Sequence, residues 1–189
     1  MTSKLNWQVI ALKDVAPAPW RNGGGTTREL LTWPDSVAWQ WRASVAEVIQ
    51  DGPFSSFAGV QRWFAVLQGD GVGLTVNGRQ HVLGKDDSPL TFDGAATTTC
   101  KLLGGATQDF NLMVQGGGSA RMQRVHHSLQ MTFRAPKIIA VYASNAGATL
   151  QIGGEFHALS PHCFGWMRIK ANTTIHALSD DALLMEIDL

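Results

Sequence analysis

The chain has 189 residues, of which 44% are hydrophobic and 16% are charged, with 15 basic and 15 acidic side chains. This length and composition predict a globular protein with its own hydrophobic core and exclude a disordered chain. A formal net charge of zero provides no general attraction to nucleic-acid phosphates or to anionic lipid surfaces. We therefore expect no nucleic-acid partner and no membrane partner.

The N-terminal segment does not have the pattern of a signal peptide. Residues 1–20 contain no apolar run of signal-peptide length, and no stretch reaches the roughly 18–20 apolar residues of a membrane-spanning helix. We expect a cytoplasmic protein. The two cysteines, Cys100 and Cys163, show no CxxC spacing and are predicted to be buried, reduced thiols.

The chain is predicted to be almost entirely β-structure. Short β-branched and aromatic runs alternate with glycine-containing turns, and long helical periodicity is nearly absent. Strand 39–48 alternates so that Trp41 and Arg42 point to opposite faces of a sheet. The predicted strands are 27–33, 39–48, 62–68, 72–77, 79–83, 97–103 and 109–115, followed by 137–143, 148–152, 155–159, 164–169, 174–178 and 182–188.

Two hairpins resemble each other, and their likeness predicts an internal duplication. Residues 66–83 align without gaps on residues 142–159. Each copy contains a two-residue turn, Asn-Gly or Gly-Gly, between alternating strands, and each is followed by Ser-Pro and another apolar strand. In this alignment Gly71, Leu74, Gly78, His81 and Leu83 recur as Gly147, Leu150, Gly154, His157 and Leu159.

This pattern predicts an all-β fold of the double-stranded β-helix (jelly-roll) type, a bicupin with two tandem cupin barrels. The N-terminal barrel is predicted to cover 1–118 and the C-terminal barrel 119–189, either as separate barrels or sharing strands in one compact unit. The stretch 116–136 has the composition of a connection, although its RMQRVHHSLQMTFR part could pair as an additional strand.

The residue pattern gives little support to metal or nucleophile chemistry. The six histidines include no His-x-His pair and have no glutamate at a fitting distance for a metal site. There is no G-x-S-x-G motif, and the glycine run 23–25 lacks the lysine and hydroxyl residue of a P-loop. We expect no metal and no other cofactor.

Planar polar donors are concentrated among aromatic residues in the first two thirds of the chain. Guanidinium groups bind carboxylates through two parallel N–H donors, and an amide adds a donor and an acceptor. The pattern favours a pocket for a small anion. The alternatives are that the arginines form surface ion pairs, that Arg21 and Asn22 only stabilise the glycine turn, and that the tryptophans pack in the core. The clusters are Trp20-Arg21-Asn22, Arg28-Glu29, Trp41-Arg42, Gln61-Arg62-Trp63 and Asp109-Phe110-Asn111.

These five clusters fall within or overlap four segments that resemble motifs of the HutD/Ves family and follow one another in the family's order. The segments are WRNGGGTTRE from Trp20, WRASVA from Trp41, GPFSSFAGVQR from Gly52 and DFNLM from Asp109. The resemblance implies a bicupin without a bound metal in the bacterial cytoplasm, often encoded with histidine-utilisation enzymes. HutD proteins are thought to restrain that pathway by binding an intermediate such as N-formylglutamate, formiminoglutamate or urocanate.

The resemblance implies a non-catalytic protein that binds a small anionic metabolite in its first barrel. Arg28, Arg42 and Arg62 would hold carboxylates. Asn22 and Asn111 would bind the formyl or formimino group, and Trp41 would close the apolar side. The glycine run would bring backbone amides close to the ligand; the alternative is a tight turn into strand 27–33. The expected ligand-binding residues are Arg21, Asn22, Gly24, Arg28, Trp41, Arg42, Arg62 and Asn111.

Two other kinds of function stay open at this point. One is a metal-independent cupin enzyme, an isomerase or hydrolase of the same metabolites, in which Glu29 or Asp109 would be the general base. The other is a protein-interaction module, which predicts an exposed apolar patch. The sequence leaves homodimer formation undetermined.

Overall fold

The computed structural model describes residues 7–188, and in this range the chain consists of β-strands and their connections. Helical structure there is limited to one 3-10 turn, Leu12–Asp14, and no helix within these residues has the length and apolar character needed to cross a bilayer. The strands of the N-terminal part are β1 (Gln8–Ala11), β2 (Ala18–Pro19), β3 (Gly25–Trp33), β4 (Trp41–Val48), β5 (Gly52–Pro53), β6 (Val60–Gln68), β7 (Val72–Val76), β8 (Arg79–Leu83), β9 (Leu90–Asp93), β10 (Thr98–Leu102) and β11 (Thr107–Gln115). Those of the C-terminal part are β12 (Ser119–Phe133), β13 (Lys137–Ala143), β14 (Ala148–Ile152), β15 (Glu155–Leu159), β16 (Cys163–Ile169) and β17 (Thr173–Asp188).

The prediction of an all-β chain is confirmed, and every predicted strand is present with its ends shifted by two residues or fewer, apart from one fusion. The predicted strands 174–178 and 182–188 are parts of the single strand β17. The stretch 116–136 contains a 15-residue strand, β12, which pairs with β17 along nearly its whole length. The additional-strand alternative is therefore the correct interpretation of that stretch.

The chain divides into two compact units: residues 15–117, called here the first unit, and residues 7–14 with 118–188, called the second unit. The sequence predicts all of 1–118 in the N-terminal barrel. In the structure, however, β1 pairs antiparallel with β16, so residues 7–14 belong to the second unit. Local sequence pattern gives no information on a pairing between strands so far apart in the chain.

The first unit contains two antiparallel sheets. The larger has the strand order β2-β3-β4-β11-β6-β9, and the smaller has the order β5-β10-β7-β8. A buried apolar cluster joins side chains from both sheets, as face-to-face packing requires. Its members are Val48, Phe64, Val66, Val72, Leu74, Leu83, Phe92 and Cys100.

The second unit is one seven-stranded sheet with the order β1-β16-β13-β17-β14-β15, in which β12 also pairs with β17. Strand β17 pairs with β14 along its first half and with β13 along its second half, so the sheet curves around its own interior. That interior is an apolar cluster: Val125, Phe133, Ile139, Val141, Ala143, Ala148, Leu150, Ile152, Leu159, Cys163, Met167, Ile169, Ile175, Ala177, Ala182 and Leu184.

The two hairpins that match in sequence also match in register. In β7–β8, Val72 pairs with Leu83 and Val76 with Arg79. In β14–β15, the residues at the aligned positions form the corresponding pairs, Ala148 with Leu159 and Ile152 with Glu155. Both turn residues have positive φ in each hairpin, 46° and 82° at Asn77-Gly78 and 58° and 91° at Gly153-Gly154, as a type I′ turn requires.

Candidate functional site

A cavity of about 640 Å³ lies within the first unit. One wall is formed by the inner face of the larger sheet, and the segment from Pro53 to Phe57 contributes to another. The polar lining residues are Arg21, Asn22, Thr27, Arg42, Ser44, Ser55, Arg62 and Asn111, and the apolar ones are Ala18, Pro19, Trp20, Ala46, Val48, Pro53, Phe54, Phe57, Phe64 and Met113.

Strand pairing explains why these side chains share one face. Successive residues of a strand point to opposite faces, and directly paired residues point to the same face. In the central strands β4, β11 and β6, the pairing creates neighbouring cross-strand rows on the cavity side. The rows are Arg42–Met113–Arg62, Ser44–Asn111–Phe64 and Ala46–Asp109–Val66.

Arg62 is the most enclosed cation of this face, with 6% of its surface exposed. Its Nη2 donates a 2.9 Å hydrogen bond to Asn111 Oδ1, and its Nη1 lies 3.4 Å from the Ser55 carbonyl oxygen. The guanidinium carbon lies 5.2 Å from the ring centroid of Phe54, 5.8 Å from that of Phe57 and 5.1 Å from that of Phe92. A cation is favourable over an aromatic face, so three rings and two oxygens hold this guanidinium.

The charge of Arg62 has no carboxylate partner within ion-pair distance among residues 7–188. Burial, together with the nearby positive charge of Arg42, lowers the pKa of Arg62 to about 10. The side chain therefore remains protonated at neutral pH. A buried cation without a counter-charge is unfavourable, and an anion in the cavity would relieve that penalty.

Asn111 has one defined orientation because of Arg62. Since a guanidinium only donates hydrogen bonds, the amide must present Oδ1 to Arg62. Its Nδ2 is then a free donor at the cavity wall, where Asn111 and Ser44 are paired neighbours. Guanidinium and amide N–H groups together form a donor set suited to a carboxylate.

Arg42 lies nearer to the solvent and has a partial counter-charge. Its Nε lies 2.9 Å from Glu29 Oε2, and the two side chains are 23% and 42% exposed. The Arg42 N–H is not directed at that oxygen, so the contact is an ion pair without a hydrogen bond. With Arg21, Arg42 and Arg62 lining the cavity and Glu29 beside it, the region is positively charged.

Two residues expected at the site lie elsewhere. Trp41 is completely buried on the face of β4 opposite the cavity, because it precedes Arg42 in an alternating strand. Arg28 likewise points away from the cavity, and its Nη1 donates a hydrogen bond to the Val15 carbonyl oxygen. Trp41 therefore cannot close the apolar side of the cavity; Phe54, Phe57 and Met113 contribute there instead.

The glycine run forms a tight turn leading into β3. Gly23 has a positive φ of 72°, and the Gly24 N–H is occupied by a 3.0 Å hydrogen bond to Asn22 Oδ1. A Cβ on Gly25 would lie 2.1 Å from the Glu47 carbonyl oxygen. Gly24 does not line the cavity, whereas Arg21 and Asn22 do. The turn alternative therefore accounts for these glycines.

Asp109 points to the cavity-side face of β11, one row beyond Asn111, and is completely buried. Its Oδ2 accepts a 2.8 Å hydrogen bond from Thr107 Oγ1, and its Oδ1 has no hydrogen-bond partner among the described residues. Burial raises the pKa of Asp109 to about 7, and the Thr107 hydrogen bond opposes part of this rise. Asp109 does not line the cavity. Of the two acids predicted as possible general bases, Glu29 is the exposed one, with 42% of its side chain accessible to solvent.

Metal-binding and reactive-thiol chemistry have no cluster to support them in the described part of the chain. No group of three or more His, Cys, Asp or Glu side chains in residues 7–188 is placed to hold a metal ion. Cys100 and Cys163 are free and buried. Burial raises the pKa of both thiols, that of Cys100 to about 12.

Sequence reasoning missed the aromatic residues that surround Arg62. Phe54 and Phe57 lie in the segment Gly52–Arg62, whose resemblance to a family motif was noted on sequence alone, so their signal was present. Met113 and Ser44 also lie in motif segments, DFNLM and WRASVA, but an apolar residue and a serine in strands are ordinary features of any sheet and do not by themselves indicate a ligand.

Comparison with known proteins identifies relatives over nearly the full length. A family model described as HutD matches residues 12–185. An uncharacterised 21.2 kDa protein from the hutC 3′ region of Pseudomonas putida is 31% identical over 185 residues, or 96% of each chain. Protein Ves of Citrobacter koseri is 33% identical over 140 residues, covering 72% of this chain and 68% of that protein.

Solved structures show the same likeness. HutD from Pseudomonas fluorescens SBW25 has a TM-score of 0.83 and 30% identity, with 97% of this chain and 98% of that chain covered. A cupin 2 conserved barrel domain protein from Leptotrichia buccalis has a TM-score of 0.55 and 8% identity, with 100% and 98% covered. The second comparison concerns the fold alone and indicates a cupin-like β-structure.

Proposed function

This chain belongs to the HutD family, and we propose that it is a non-catalytic protein that regulates histidine utilisation by binding a small anionic intermediate. Candidate ligands are N-formylglutamate, formiminoglutamate and urocanate. The observation that carries the proposal is Arg62, a buried guanidinium held at a cavity wall without a carboxylate partner among the described residues. The ligand's carboxylate supplies the missing negative charge.

The cavity matches such a ligand in size and chemistry. Its volume of about 640 Å³ falls within the range of small-molecule sites, roughly 300–1,000 Å³. Arg62 and the Asn111 amide bind one carboxylate, and Arg42 and Arg21 attract a second one nearer the solvent. Phe54, Phe57 and Met113 contact the aliphatic part of the ligand.

The pathway assignment is supported by the names of two relatives. One relative lies in the hutC 3′ region of Pseudomonas putida, and another is HutD of Pseudomonas fluorescens. Both are about equally similar to this chain and are covered nearly completely. We also propose a cytoplasmic location, as the family resemblance implies.

We further propose that each unit is a cupin barrel, so that the chain is a bicupin. The matching registers of the β7–β8 and β14–β15 hairpins support a common origin of the two units. The cupin-like neighbour supports the barrel type.

The placement of the carboxylates favours binding over turnover. Glu29 is paired with Arg42, and Asp109 is completely buried and is not among the lining residues. Neither is available as an unengaged base in contact with a ligand. Product formation from any of the candidate ligands, abolished in Glu29→Gln, would instead establish the enzyme alternative.

Thermal unfolding and calorimetric titration with N-formyl-L-glutamate, formiminoglutamate, urocanate and histidine test the proposal. A ligand at about 100 times its Kd stabilises the folded protein by roughly 2.7 kcal/mol, which raises Tm by several degrees. We expect Arg62→Met to weaken binding at least about 100-fold, because a buried charge-assisted contact is lost.

Arg28→Met is the matched control, since it removes an arginine of the same unit from the opposite face of the sheet. We expect it to retain binding. If none of the four compounds binds to the wild-type protein, the histidine-pathway assignment is wrong. If one binds equally well to Arg62→Met, the site is wrong.

A further inference from the structure

The central strand β11 carries a polar side chain in each of two successive rows facing the interior. Asn111 lines the cavity, and Asp109, two residues away on the same strand, points to the same side in the next row. Ala46, the β4 partner of Asp109, is itself a lining residue. The carboxyl group is thus one row away from the place where Asn111 and Arg62 would hold an anion.

Among residues 7–188, no cationic side chain forms an ion pair with Asp109. Its β4 and β6 partners are Ala46 and Val66, and the titratable group facing it from β10 is Cys100, whose thiol stays neutral because burial and the charge of Asp109 raise its pKa to about 12. The negative charge of Asp51 also raises the pKa of Cys100. The cations of this face, Arg42 and Arg62, lie two rows away and form no ion pair with Asp109.

We propose that Asp109 takes up a proton from solvent when an anion binds in the cavity, so that the first unit binds the anion and a proton together. The proton adds to a carboxylate oxygen of Asp109, and no other bond changes. The inference rests on the proposed function, because it requires an anion next to Arg62 and Asn111. The proposal gives a role to the buried carboxyl group of Asp109, a group that packing of the interior alone does not require.

Electrostatics gives the direction and the size of the effect. Residues two apart on a strand are separated by roughly 7 Å. At an effective dielectric constant of about 20, a negative charge at that distance raises the pKa of a carboxyl group by roughly one to two pH units. Because the ligand favours protonated Asp109, protonated Asp109 favours the ligand to the same extent.

Affinity should therefore rise as the pH falls through the range in which Asp109 titrates. We expect binding roughly tenfold tighter at about pH 5.5 than at about pH 8.5. The carboxylates of N-formyl-L-glutamate remain ionised across this range. None of the described lining residues is a histidine, so the lining itself offers no competing group that titrates there.

The test is calorimetric titration of the whole protein with N-formyl-L-glutamate at pH 7 in Bis-Tris and in Tris, two cationic buffers with different ionisation enthalpies that do not compete for an anion site. The difference between the two apparent enthalpies gives the number of protons taken up. We expect roughly half a proton per bound ligand for the wild type, and none for Asp109→Asn, which keeps the shape of the side chain. Asp86→Asn, an exposed acid of the same unit, is the matched control and should keep the uptake.

The outcomes separate the two proposals. Binding without proton uptake, or uptake that persists in Asp109→Asn, overturns the role of Asp109 and leaves the anion site intact. Absence of binding at every pH overturns both proposals. If Asp109→Asn does not fold, carbon-13 NMR titration of the wild-type Asp109 carboxyl decides the question: its pKa must rise when the ligand is added, and an unchanged pKa refutes the inference.

Discussion

The two units of this protein share a hairpin of the same register but have different interiors. The interior of the second unit is an apolar cluster to which β12 to β17 all contribute, with Leu150 completely buried in it. The first unit has a smaller apolar cluster and, beside it, a cavity whose wall carries Arg62 and Asn111. Two β-units that share this hairpin therefore have interiors of different composition.

The polar cavity of the first unit has a free-energy cost that an apolar interior does not have. A cavity lined by buried polar groups lowers stability, because desolvated charges and unfilled volume are both unfavourable. The apolar cluster inside the second unit contains no charged side chain and has no such desolvation penalty. We infer that the first unit is specialised for binding and that the second contributes a packed core.

The largest expected effect comes from truncating that packed core. Leu150→Ala removes a completely buried side chain and should lower the free energy of unfolding by about 4 kcal/mol. Met113→Ala, in the cavity wall, should lower it by roughly 2 kcal/mol or less, because the site is already partly open. Urea unfolding of both variants measures the difference. Equal losses would contradict the contrast between the interiors.

The next effect concerns the free-energy cost of burying the ionised carboxyl group of Asp109. The pKa of Asp109 is about 7 in the folded protein against an ordinary 3.8, so the folded state binds more protons than the unfolded state between these values. Its contribution to stability is therefore present at low pH and is lost as the pH rises toward 7. Relative to wild type, Asp109→Asn should gain roughly 2–4 kcal/mol between about pH 4 and pH 8.5. Denaturant unfolding at both pH values checks this; a pH-independent difference would refute it.

A smaller effect is expected in the glycine turn beside the cavity. Gly25→Ala places a Cβ 2.1 Å from the Glu47 carbonyl oxygen, a backbone atom that cannot move without disturbing the pairing of β3 with β4, and should cost about 2 kcal/mol. In Gly24→Ala the nearest atom is Asn22 Oδ1 at 3.3 Å, a side-chain atom that can shift, so the loss should stay below about 1 kcal/mol. Thermal unfolding compares the two, and the reverse order would show that this account of the turn is wrong.

The smallest effect tests the equivalence of the two hairpins. Asn77 adopts a φ of 46° at the position that Gly153 occupies in the second unit with a φ of 58°, and a Cβ on Gly153 would meet no atom within 4 Å. Gly153→Asn should therefore change stability by less than about 0.5 kcal/mol. Gly153→Val, a β-branched residue at positive φ, should lose more than about 1 kcal/mol. Similar losses in both variants would argue against equivalent turns.

Much of the fold could be predicted because its signals are local. Alternation in 39–48 predicted that Trp41 and Arg42 lie on opposite faces of the sheet. The Asn-Gly and Gly-Gly turns predicted the two hairpins. The pairing of β1 with β16 and the continuity of β17 could not be predicted in this way, because both depend on contacts between distant segments. For the stretch that contains β12, the sequence predicted a connection and offered an additional strand only as the alternative.

The lining of the candidate cavity was predicted in part, because the sequence motifs identify residue types but not the face on which each side chain lies. Arg21, Asn22, Arg42, Arg62 and Asn111 do line one cavity. Trp41, Arg28 and Gly24 do not, although they belong to the same sequence segments.

The sequence by itself determined the all-β character, the duplicated hairpin and the residue types capable of binding an anion. These follow from propensity, alternation and turn chemistry, which act within a few residues. Only the tertiary structure decided which face of each strand encloses the cavity, that three phenylalanine rings surround Arg62 and that Asp109 lies buried in the row next to Asn111. Alternation defines two faces of a strand, but the pairing of the strands and the packing of the sheets determine which face becomes the interior.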